Sequence, residues 1–111
     1  MRSAHEVQRP FRIDDVKYNP NPAKVGMEVT CNIALEGGMP GTYSVSVWLD
    51  IPLWFDQCVA TYYVAHDCDC IFDLATIKFI PKSAGTYHIS VSCNGNELSS
   101  QPNDYLRLTV Q

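Results

Sequence analysis

Apolar and polar residues alternate with period two through most of this chain. Met27, Val29, Cys31, Ile33 and Leu35 fall on one side of an extended segment, with Glu28, Thr30 and Asn32 on the other. Tyr43, Val45, Val47 and Leu49 alternate with Ser44, Ser46 and Trp48, and Tyr87, Ile89, Val91 and Cys93 repeat the pattern later on. Such alternation predicts half-buried strands. Seven segments carry the signal: 11–18, 27–35, 42–50, 58–66, 75–80, 86–93 and 105–110. Between them stand breakers such as Asn19-Pro20-Asn21-Pro22 and Glu36-Gly37-Gly38-Met39-Pro40-Gly41, where proline removes N–H donors and glycine admits turn geometry. No stretch of ten residues has a helical period.

Seven short strands in about 100 residues, each with one wet and one dry face, predict two packed antiparallel sheets: an all-β, seven-stranded, antiparallel, immunoglobulin-like β-sandwich. A chain of 111 residues fits one such domain, assigned to 11–111, with 1–10 as an N-terminal extension. Burying roughly fifteen inward side chains at about 1.5–3 kcal/mol each offsets most of the ordering entropy.

Composition narrows function by exclusion. A net charge of −4 without a Lys/Arg cluster argues against nucleic acid and against an anionic membrane surface. No apolar run has the length of a membrane span. Residues 1–5 lack the apolar stretch of a secretory leader, whereas five cysteines in a short chain favour an oxidising extracellular or secretory setting over the cytoplasm. There is no Gly-x-Ser-x-Gly elbow, and no cleft is legible in the sequence that would perturb the paired carboxylates Asp14-Asp15 or Asp67/Asp69 for acid–base work. His88 falls on the outward side of its strand, where a solvated side chain is the expectation. The chain therefore reads as a non-enzyme without a cofactor.

The stretch Phe79-Ile80-Pro81-Lys82-Ser83-Ala84-Gly85-Thr86-Tyr87, with Asn94-Gly95-Asn96-Glu97-Leu98 and the later Leu106-Arg107-Leu108-Thr109-Val110, resembles the last hairpin of filamin-type repeats, early-set immunoglobulin-like domains. The resemblance covers about residues 76–110. It implies a protein-binding or structural module, able to accept a partner strand at an exposed sheet edge, with neighbouring domains of the same chain among its possible partners. Val16 to Gly26, with Pro81 and Gly85-x-Tyr87, is similar to MD-2-related lipid-recognition domains. That implies the alternative, an apolar ligand held between splayed sheets.

Four clusters carry candidate chemistry. Ile51-Pro52-Leu53-Trp54-Phe55 is either an exposed aromatic anchor or a loop folded over the core end. Adjacent Tyr62 and Tyr63 must point to opposite faces of a strand, so one faces outward. Trp54, Phe55, Tyr62 and Tyr63 are thus the candidate binding residues, or the lining of a lipid entrance. Cys31 and Cys93 share the inward parity of strands that face each other, predicting either a disulfide worth about 3–4 kcal/mol or two buried thiols. His66-Asp67-Cys68-Asp69-Cys70 holds zinc-type ligands, but three of them in a row on one strand face are too far apart to reach one ion. The simpler expectation is that Cys68 or Cys70 pairs with Cys58 and no metal is bound.

Overall fold

The structure is a computed structural model. It describes residues 12–37, 41–66, 73–93, 96–99 and 106–111 (73, 93 and 96–99 through their backbone alone). The strands are β1 (Arg12–Asn19), β2 (Val29–Glu36), β3 (Gly41–Leu49), β4 (Gln57–His66), β5 (Asp73–Phe79), β6 (Gly85–Cys93), β7 (Asn96–Ser99) and β8 (Leu108–Val110). One sheet has the order β1-β2-β5; the other runs β4-β3-β6, with β7 and β8 successively on the far side of β6. Every paired strand is antiparallel. The chain is an antiparallel β-sandwich, and the expected seventh strand position is filled by two short segments. β7 pairs residues 90–93 and β8 pairs residues 85–87 of the same β6 edge.

The alternation places the core. Val29, Cys31, Ile33 and Leu35 of β2, Tyr43, Val45 and Val47 of β3, and Ile89 and Val91 of β6 are fully buried. From the outer strands come Val16, Tyr18, Ala75, Ile77 and Phe79, with Leu106, Leu108 and Val110 closing the end. Met27 departs from its expected inward place. It precedes β2 and is exposed, because the turn at Lys24–Met27, closed by Met27 N donating to Lys24 O at 3.1 Å, keeps it out of the ladder.

The Gly85-x-Tyr87 pattern forms a tyrosine corner. Tyr87 is buried, and its hydroxyl donates to Ser83 O at 2.7 Å. Its ring meets that of Phe79 across the sandwich, with centroids 6.4 Å apart. Gly85 has φ +143°, and a β-carbon there would meet Leu49 Cδ1 at 3.0 Å. The positive φ favours glycine at this point, and a β-carbon would also have to displace the end of the Leu49 side chain by a few tenths of an ångström.

Neither expected cysteine bridge is made. Cys31 and Cys58 are free thiols. Register explains Cys31. It pairs with Tyr18 and Ile77, near the end of the sandwich where Phe79 meets Tyr87. Phe79 pairs with Val29, two residues short of Cys31, so Cys93 lies about four residues beyond the level of Cys31 along β6, about 13 Å at strand rise, beyond the separation a disulfide spans. Burial pushes the Cys31 thiol up to about 12, so it behaves as a small hydrophobe. Cys58 is exposed on β4, with its sulfur 3.7 Å from Ala60 O and 3.6 Å from Thr61 Oγ1. Cys68 and Cys70 lie outside the described residues.

Candidate functional site

The loop between β3 and β4 holds the most exposed large apolar side chains among the described residues. Trp54 N donates to Ile51 O at 3.2 Å, closing a four-residue turn with Pro52 and Leu53 at its centre. Proline suits the first central position, and the positive φ of 61° at Leu53 marks the second as one that normally takes glycine or asparagine. A leucine there costs about 1–3 kcal/mol. Packing does not offset that cost, since Leu53 is 103% exposed. Trp54 and Phe55 are 74% and 82% exposed and meet edge to face, with centroids 6.0 Å apart. The loop does not fold back over the core end; its side chains stand in solvent.

Both feet of the loop are braced. Asp56 Oδ1 accepts from Ile51 N at 3.3 Å, across the loop. Asp50 N donates to Thr86 O at 2.9 Å. The Asp50 carboxylate is hydrogen-bonded by His88 Nδ1 and lies 3.9 Å from Arg107 Nη1. His88 is therefore not the solvated residue its outward parity suggested; it is buried. Trp48, opposite it in register, stacks over it at 6.4 Å and 9°, and donates from Nε1 to Ser90 Oγ at 2.8 Å. An indole lying over the outer sheet face buries what strand parity alone would expose.

Ligand atoms of Asp50, Asp56 and His88 lie within 4.8 Å of one another, a donor set compatible with a divalent ion. The His88 hydrogen bond and the nearby Arg107 already supply Asp50 with a donor and a compensating charge, so the arrangement fits a structural brace without an ion.

The four residues named from the sequence do not form one site. Trp54 and Phe55 share the loop. Tyr63 is 74% exposed on the outer face of β4 beside Ser44. Tyr62, on the opposite face, packs against the core and lines a cleft of about 370 Å3 at the seam where β4 and β5 end their sheets. His66 is buried; its Nε2 hydrogen-bonds Gly37 O at 2.7 Å, and its ring lies 4.8 Å from that of Tyr43. It is a satisfied core histidine at the end of β4, and residues 67–70 lie outside the described residues.

The sequence reading missed Asp50, Asp56 and Arg107 as a group with His88. These residues are separated by up to 57 positions, and no local spacing signals their meeting. Among the described residues no helix is long and apolar enough to cross a membrane.

Neither protein-family profiles nor curated proteins give a match. Solved structures do. A β-glucosidase from Erythrobacter marinus aligns with TM-score 0.54 and 10% identity over 92% of this chain, which spans 15% of the glucosidase. A β-glucosidase from Listeria innocua aligns with TM-score 0.47 and 11% identity, over 91% of this chain and 16% of that one. The superoxide reductase (neelaredoxin) from Ignicoccus hospitalis aligns with TM-score 0.47 and 12% identity, over 89% and 82%. At these identities the first match is a likeness of fold alone.

Proposed function

We propose that this protein is a non-catalytic, immunoglobulin-like binding module whose Leu53-Trp54-Phe55 tip anchors a protein partner. The carrying observation is the tip itself. Three consecutive apolar side chains stand in solvent on a turn strained at Leu53 and held at both feet. Strain left uncompensated by packing is a mark of functional segments. A braced tip loses little freedom on binding, and tryptophan and its aromatic neighbours are the side chains that dominate interfaces. The tyrosine corner and the two-sheet topology support the immunoglobulin-like reading of the fold. The lipid-carrier alternative has less support, because a continuous cluster of buried side chains from both sheets occupies the centre of the sandwich, and the cleft lined by Tyr62 lies at its edge.

Site-specific photo-crosslinking tests the reading. A benzophenone side chain at position 54 should give a discrete adduct with one protein of the source organism, lost when Phe55 and Leu53 are both replaced by serine. The same label at Lys17 on β1 serves as the control. Identical adducts from both positions, or none from position 54, would refute the tip as the contact.

A further inference from the structure

We propose that β4 is a self-pairing edge: two copies of this chain join antiparallel along it, β4 against β4, about a two-fold axis at Tyr63. This pairing is independent of what the loop tip binds. Among the described residues β4 pairs with β3 on one side and with no strand on the other. Its free side therefore presents a row of unpaired N–H and C=O groups, a template for another strand. At 10 residues it is long for an edge, since about 5–6 is usual for a strand of any kind.

The other edges are guarded, and β4 is not. β1 carries Arg12, Asp14, Asp15 and Lys17, with a bulge between Ile13 and Asp15. β5 carries Asp73 and Lys78. β7 and β8 are 4 and 3 residues long. Charge, bulges and shortness are the devices by which sheets avoid joining edge to edge. Gln57–His66 holds no lysine, arginine, aspartate, glutamate, proline or glycine. Its run of Val59, Thr61, Tyr62, Tyr63 and Val64 is of the β-branched and aromatic kind that strands favour. The bulge at Val59 disturbs only the end of β4 next to the loop, and from Ala60 to His66 the ladder to β3 is regular.

The absence of charge selects a second copy as the occupant. In a two-fold contact the residues near the axis meet their own kind, so a charge placed there repels itself. A strand adapted to a different protein has no such constraint and uses charge to choose its partner. The regular stretch 60–66 is centred on Tyr63. Pairing about that centre sets Tyr63 opposite Tyr63 and Thr61 opposite Ala65 on the outer face, and Tyr62 opposite Val64 on the inner one. The three outer residues are exposed, and Tyr62 and Val64 are half-buried against the core, so the contact covers what the edge leaves open. It is also closed, because each copy uses its unguarded edge and the guarded ones stop growth at two. Since the paired strands run in opposite directions, the two Leu53-Trp54-Phe55 tips point to opposite ends, and the dimer is bivalent for whatever the tip binds.

Sedimentation equilibrium of the full chain should follow a monomer–dimer scheme with a dissociation constant of about 10–100 µM, as suits a small edge contact. Tyr63→Lys should weaken the dimer at least about tenfold, because it sets two cations face to face, and Tyr63→Glu should do the same with two anions. Mixed in equal amounts, the two variants should associate again, a rescue that requires position 63 to face itself; circular dichroism checks that both keep the fold. Lys17→Glu on β1 should leave association unchanged, as should alanine at both Trp54 and Phe55. Hydrogen exchange at about 1 µM and about 300 µM reads the main-chain pairing, and amides within 60–66 should exchange more slowly at the higher concentration. A chain that stays monomeric up to about 300 µM overturns the proposal. So does a dimer indifferent to Tyr63→Lys, a variant mixture that stays monomeric, a dimer lost with Trp54 and Phe55, or assembly beyond two copies.

Discussion

Replacing Tyr87 by phenylalanine removes one hydroxyl and leaves the ring where it is. The ring is buried against Phe79, and only the bond to Ser83 O, 2.7 Å long, disappears. A hydrogen bond of this kind contributes about 0.5–1.5 kcal/mol net. Ser83 is exposed, so water can take over at its carbonyl and the full penalty of a stranded buried acceptor does not apply. The expected loss is about 1 kcal/mol, or about 4 °C in Tm for a domain near 100 residues. In urea, with a slope near 1–1.5 kcal/mol/M, the midpoint should move by about 0.7–1 M. Tyr87→Ala adds the cavity and should cost about 3–5 kcal/mol.

A second readout separates the hydroxyl from general packing. Burial raises the Tyr87 pKa above 10.0, and the bond to Ser83 works in the opposite direction. A raised folded-state pKa means that the folded protein holds this proton more tightly than the unfolded chain. The stabilisation is then complete below about pH 10 and is lost as pH rises through the folded value. Wild-type protein should therefore lose stability above pH 10 more steeply than the phenylalanine variant, measured by urea melts at fixed ionic strength. If Tyr87→Phe stays within about 0.3 kcal/mol of wild type, the corner bond does not hold the start of β6, and if the two pH profiles coincide, the Tyr87 hydroxyl is not buried as the structure places it.

Three further outcomes follow from the same structure. With Ellman's reagent Cys58 should react at once, whereas Cys31, whose thiol burial holds near 12, should react only at the rate of global unfolding; fast labelling of Cys31 in native protein would contradict its packing. His88→Gln should cost about 2 kcal/mol by urea melt and speed limited proteolysis within residues 51–56, because it loosens Asp50 at one foot of the loop; an unchanged cleavage rate would detach the brace from the loop. Gly85→Ala should lose about 1–3 kcal/mol in the same melts, from positive φ and the Leu49 contact together; a neutral effect would refute the glycine preference.

Most of the sandwich is written in the sequence. Period-two alternation in β2, β3 and β6 assigned Val29, Ile33, Tyr43, Val45, Val47, Ile89 and Val91 to the core, and each is fully buried. Local chemistry alone suffices there, because a strand that pairs in register and packs on one face has only one way to hide its apolar set. The split of Tyr62 and Tyr63 between faces follows from the same rule. Parity misled at His88, since it records which side of the sheet a residue faces and not what lies over that side. Trp48 from the neighbouring strand covers the imidazole, a consequence of the register between β3 and β6.

The cysteines were decided by tertiary structure for a related reason. Alternation gives a direction but no position along the partner sheet, so Cys31 and Cys93 share an inward parity while their strands hold them far apart. Asp50, Asp56, His88 and Arg107 meet because a loop, a central strand and the last segment of chain converge at one end of the sandwich. The seam cleft depends on β4 joining β3 and not β5, which makes each an edge strand of its sheet among the described residues. Periodicity determined which face of each strand is dry. Strand order and register, set by long-range pairing that no short stretch encodes, determined which side chains meet.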